Sequence, residues 1–178
     1  MAPSRILFIR HAEKPHEPPC ENDDGVKKNG EKDKESLTAR GWQRAGALAR
    51  FFASQSSLRP GVIFASGIGD GSASHRPRQT VMPLAELIGL GIEDGHLKDD
   101  AKALMKDVMS RTGSVLVSWE HHMIPKLVGA LPDAPAVPAK WPDDRFDMVW
   151  VLEAAGDGWK FSQVPQMLLA GDRDKPIK

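Results

Sequence analysis

The chain is 178 residues long, 40% hydrophobic and 27% charged. That suits one domain spanning 1–178 with its own core and excludes disorder over the whole length. Its 24 basic and 24 acidic residues cancel, which argues against bulk electrostatic attraction to nucleic acid or to an anionic membrane. A single cysteine, Cys20, excludes an internal disulfide, and a reducing cytoplasm is the expected compartment.

The first predicted element is the apolar run Ile6-Leu7-Phe8-Ile9, bounded by charge and too short for a secretory signal. It reads as a strand buried on both faces, the kind found in a parallel sheet covered by helices. Residues 13–36 are charged and interrupted by Pro15, Pro18, Pro19, Gly25 and Gly30, which predicts an exposed loop overhanging whatever follows the first strand. Thr38 is a suitable N-cap for a helix carrying Trp42, Ala45, Leu48, Ala49 and Phe52 at helical spacing. Val62-Ile63-Phe64-Ala65 predicts a second strand, followed by a glycine- and serine-rich turn from Ser66 to Ser74. Helices are expected from about Pro77 to Ile88 and near Asp100 to Met109.

Val115-Leu116-Val117-Ser118 predicts another buried strand, leading to a helix through Ile124, Leu127 and Val128. After a proline-rich connection, Met148–Leu152 and Trp159–Val164 flank Gly156-Asp157-Gly158 and read as an antiparallel hairpin at the sheet edge. The whole is an α/β chain: a three-layer α/β/α sandwich with a mainly parallel sheet and an antiparallel edge. Nothing approaches the roughly 20 apolar residues that span a bilayer.

In such sheets ligands gather beyond the carboxyl ends of the strands. Three strands here end in reactive residues: Arg10-His11 after the first, Ser66 leading to His75-Arg76 after the second, and Glu120-His121-His122 after the third. Arginine's planar fork binds phosphoryl oxygens in pairs, and histidine serves as a nucleophile or proton carrier near neutral pH. Parallel neighbours would bring these ends together as an anion site, with the reaction left open. His16, His75 and His96 are expected at the surface. No His-x-x-x-His or comparable ligand spacing exists, so no metal or other cofactor is expected.

Four ordered blocks resemble the histidine phosphatase superfamily, the phosphoglycerate-mutase-like group. They are Ile6–Glu13 with its Arg10-His11-Ala12 triplet, Ser36–Ala45, Ala65-Ser66 with Arg76–Thr80, and Val115–His121. The resemblance implies a phosphoglycerate-mutase-like fold and a phosphatase acting through a phosphohistidine on His11. It implies Arg10, Arg76 and His121 as the remaining catalytic and phosphate-binding residues, with His122 as a competing substrate-binding position. Arg78, off register, is expected on a helix surface. Glu120, Glu13 and Glu93 are the candidate proton donors. The substrate would be a phosphorylated small molecule or a phosphoprotein, with neither nucleic acid nor membrane as partner. A phosphomutase and a binding module without turnover are the alternatives, and the oligomeric state stays open.

Overall fold

Side chains alternate along β1 (Pro3–Arg10), so Ile6 and Phe8 enter one core while Leu7 and Ile9 enter another. A strand buried on both faces requires cover on both, and helices supply it. The computed structural model describes residues 2–178. In chain order β1 is followed by α1 (Ala39–Ser54), β2 (Val62–Ala65), α2 (Arg76–Ile88), β3 (Ile92–Glu93) and α3 (Ala101–Ser110). Then come β4 (Gly113–Trp119), α4 (Ile124–Gly129), β5 (Met148–Ala155) and β6 (Gly158–Pro165). The six strands form one sheet in the order β3-β2-β4-β1-β5-β6. The first four are parallel; β5 runs antiparallel to β1, and β6 antiparallel to β5.

On one face α1 and α2 press Leu48, Phe52, Val81 and Leu84 against Leu7, Ile9, Ile63 and Leu116. On the other, α3 and α4 bring Leu104, Val108, Ile124 and Leu127 against Ile6, Phe8, Val115, Val117 and Trp150. Each such large apolar side chain contributes roughly 1.5–3 kcal/mol by leaving water. This is the expected three-layer sandwich, with the β5–β6 hairpin as its antiparallel edge. The two-residue β3 was not foreseen, because Ile92-Glu93 has too short an apolar run to register as a strand.

Thr38 caps α1, its hydroxyl accepting from Gly41 N–H at 3.1 Å. Gly41 has to be glycine: a Cβ there would lie 2.6 Å from the Glu13 carbonyl oxygen, so the first turn of α1 abuts the chain leaving β1. The 13–36 segment is exposed over much of its length but anchored at Glu13, Cys20, Gly25 and Ser36, all buried. Bridges Gly25–Thr38 and Val26–Lys32, and Trp42 Nε1 donating to the Val26 carbonyl at 2.8 Å, fold it against the start of α1. Among the described residues no helix is long and apolar enough to cross a membrane.

Candidate active site

Register places the reactive residues. Arg10 pairs with Trp119 across β1 and β4, and Ala65 pairs with Ser118 across β2 and β4, so three carboxyl ends finish side by side. Immediately beyond them lie His11, Ser66, Glu120 and His121, facing the first turn of α2 with Arg76 and Pro77. Together they line a cavity of about 390 Å³. Lys14 and Glu35, from the two ends of the 13–36 segment, line it as well, as do Ser72 and Ser74 of the 66–74 turn and Lys98.

Buried polar residues fix these pieces to one another. The Thr80 hydroxyl accepts from Ala12 N–H at 2.8 Å and donates to the Arg76 carbonyl at 2.8 Å. Ser118 Oγ donates to the Pro77 carbonyl at 2.9 Å, tying β4 to the start of α2. Gln79 accepts from Leu37 N–H and donates to Ser36 Oγ, both at 2.8 Å, tying α2 to the start of α1. All are buried.

His11 is buried, and its Nδ1 lies 2.7 Å from the Ala12 carbonyl oxygen. A carbonyl only accepts, so Nδ1 carries the proton and the lone pair is left on Nε2. Burial, and then the nearby guanidinium groups of Arg10 and Arg76, hold the imidazole well below the ordinary value of 6.5, so the ring is neutral at physiological pH.

Arg10 is equally buried. Its Nη1 donates to the Asp143 main-chain oxygen, with the Pro142 and Arg145 carbonyls each at 3.5 Å. Its guanidinium stands 3.7 Å over the Phe146 ring and 3.4 Å from Glu17. Burial lowers its pKa to about 10, still fully charged near neutrality. Arg76 donates to the Lys34 carbonyl at 2.9 Å and lies 3.6 Å from Glu35. The Nε of Arg10, the Nε of Arg76 and the Nδ1 of His121 are each buried without a partner among the described residues.

His121 Nε2 donates to the Asp143 carboxylate at 2.6 Å. That hydrogen bond holds Asp143 below its ordinary 3.8, while burial and then Arg10 pull His121 down to about 4. The neighbouring His122 ring lies against His121, tilted by 39° with ring centres 3.8 Å apart, but it is exposed and lines a separate cavity with Trp141 and Asp143. The structure thus turns His121 into the pocket and His122 out of it. His121, His122 and Asp143 offer ligand atoms all within 4.8 Å of one another.

The three candidate carboxylates part company. Glu13 is buried against Arg44, whose Nε lies 3.0 Å away, and faces a different cavity with Arg40 and Asp172. Glu93 sits on β3 with Arg111 at 3.8 Å. Glu120 alone of the three lines the cavity of His11. Arg78 is an exposed helix residue paired with Asp94 at 3.0 Å. Asp143 was missed by sequence reasoning: it sits in a proline-rich connection with no periodicity, 22 residues from the histidine it meets.

No family model and no curated protein matches the chain in sequence. Solved structures match it over nearly its whole length. A candidate phosphohistidine phosphatase SixA from Agrobacterium tumefaciens is 18% identical with a TM-score of 0.50, covering 91% of this chain and 97% of that one. A candidate SixA from Nakamurella multipartitia is 16% identical with a TM-score of 0.51, over 89% and 92% of the two chains. A candidate alpha-ribazole-5'-P phosphatase from Escherichia coli K-12 is 13% identical with a TM-score of 0.55, over 90% and 96%. At these identities the likeness is one of architecture, and the chain has the phosphoglycerate-mutase-like fold of the histidine phosphatases.

Proposed function

We propose that the chain is a phosphatase that works through a phosphohistidine formed on His11. One observation carries the reading. Three buried polar atoms without partners, on Arg10, Arg76 and His121, belong to the residues that surround a neutral imidazole whose Nε2 lone pair is free. The unsatisfied buried N–H donors of the two guanidinium groups are costly, and a phosphoryl group satisfies both at once.

His11 Nε2 attacks phosphorus; the new P–N bond forms as the P–O bond to the leaving group breaks. Arg76 and Arg10 stabilise the charge on the equatorial oxygens. His121, its Nε2 proton held on Asp143, donates to a phosphoryl oxygen once Nδ1 takes a second proton beside that anion. Glu120 is the carboxylate that gives the leaving oxygen its proton. Water then attacks phosphorus and gives its proton to the Glu120 carboxylate, the P–N bond breaks, and phosphate leaves with His11 and the Glu120 acid restored. The Ala12 carbonyl keeps Nδ1 protonated throughout, so attack comes from Nε2.

Walled by the 13–36 and 66–74 segments, the cavity suits a small phosphomonoester, and Lys14 and Lys98 on its lining favour an anionic one. Rapid acid-quench labelling with a radiolabelled phosphomonoester tests the reading. Wild type is expected to trap label on histidine, and His11→Ala to trap none and lose turnover. Binding of substrate by wild type with no label and no turnover would overturn it.

A further inference from the structure

We propose that His121, His122 and Asp143 form a divalent-cation site selective for Zn²⁺, through Nε2 of each imidazole and a carboxylate oxygen. His121 lines the cavity of His11, while His122 and Asp143 line a separate one. The carboxylate oxygen of Asp143 is 2.6 Å from Nε2 of His121 and 3.8 Å from Nε2 of His122. Zinc bonds to imidazole nitrogen and carboxylate oxygen at about 2.0–2.2 Å, so ligand atoms in a tetrahedral shell stand roughly 3.3 Å apart. The two separations bracket that value, and Asp143 reaches it by a shift of under about 1 Å.

The local backbone holds the set ready. Consecutive side chains usually diverge, but a turn at 121–123, closed by Met123 N–H on the Glu120 carbonyl at 3.0 Å, brings the two imidazoles into contact at an interplanar angle of 39°. Arg10 fixes the turn that carries Asp143 by donating to its main-chain oxygen, so the carboxylate is not taken up by that contact. His122 and Asp143 are 62% and 75% exposed in their side chains, giving an ion a path in, while buried His121 anchors it. Two imidazoles and one carboxylate favour zinc over magnesium or calcium, which prefer all-oxygen shells, and leave the fourth position to water.

Proton balance is satisfied within the ring. Coordination takes the Nε2 lone pair of His121, so the proton now shared with Asp143 moves to Nδ1, the buried nitrogen without a partner. The metal therefore turns that edge into a hydrogen-bond donor.

Calorimetric titration of the full, untagged chain with ZnCl₂ is the test. One equivalent is expected to bind, and His122→Asn and Asp143→Asn are each expected to weaken uptake by roughly tenfold or more. Both substitutions alter exposed side chains, so the fold survives them. Co²⁺ bound to wild type is expected to show visible ligand-field bands that Asp143→Asn abolishes. No Zn²⁺ uptake by wild type, or uptake that either variant leaves unweakened, overturns the three-residue site. The readout is metal uptake, independent of whether the chain hydrolyses phosphate esters.

Discussion

The main-chain N–H of Ala12 donates to the Thr80 hydroxyl at 2.8 Å, and that same hydroxyl donates to the carbonyl of Arg76 at 2.8 Å. One buried side chain thereby sets the distance between the residue after His11 and the first turn of the helix that carries Arg76. Thr80→Val keeps the volume and leaves Ala12 N–H buried without a partner, which costs about 1–3 kcal/mol. Urea unfolding is expected to show that loss, and kcat to fall while Thr80→Ser restores both. An unchanged kcat in Thr80→Val would remove Thr80 as a positioning residue.

Arg44 organises a second buried cluster. It donates to Glu13 through Nε at 3.0 Å, to Gln166 at 3.0 Å and to Asp172 at 2.6 Å, tying the loop after β1 to the C-terminal segment. Arg44→Met leaves the buried Glu13 with only Arg40, its Nε 3.4 Å away, as a cation, and the expected cost is about 3 kcal/mol in denaturant unfolding.

The same cluster sets an acid limit. Burial raises the Asp172 carboxyl, but hydrogen bonds from Arg44 and from Leu169 and Leu168 N–H outweigh it, so the net shift is below the ordinary 3.8. The unfolded chain then binds the proton more readily than the folded one. The Asp172 contribution is complete above 3.8 and is lost as pH falls below it. Unfolding free energy measured against pH is expected to drop over that acid range, and to drop less in Asp172→Asn.

In the proposed mechanism the nucleophile is His11, held well below 6.5 by burial and by Arg10 and Arg76. A nucleophile must be unprotonated, so a lowered value extends activity toward acid. The acid limb of kcat/KM is expected to lie below 6.5, and a limb centred at or above that value would contradict a buried, arginine-flanked nucleophile.

Glu120→Gln separates the chemical roles of the carboxylates. Hydrolysis of an alkyl phosphate, whose leaving oxygen needs a proton, is expected to fall by about 10²–10⁴. An aryl phosphate with an acidic leaving group is expected to fall far less. Equal losses on both substrates would point to a binding role.

The outcome for these carboxylates defines what a sequence can carry. Apolar runs such as Ile6–Ile9 and Val115–Val117 announced buried strands because both faces are covered, and the residues at their ends followed. Neighbourhood along the chain carried no direction, however. Glu13 is two residues from His11, yet its side chain turns to Arg44, and His122 turns away where His121 turns in. Asp143 and the Arg44–Asp172 pair join segments far apart in the chain that share no repeat or periodicity. Only folding brings them together.

The position of β1 in the sheet has a consequence for biosynthesis. It lies between β4, which begins at Gly113, and β5, which begins at Met148. As the chain emerges from the ribosome, this strand, with Ile6–Ile9 fully buried in the fold, has neither lateral neighbour until more than a hundred residues have followed it. Such non-local pairing makes folding slow and leaves Ile6–Ile9 open to self-association in the nascent chain. The cavity around His11 is complete only after β4 docks, because Glu120 and His121 on its lining follow that strand.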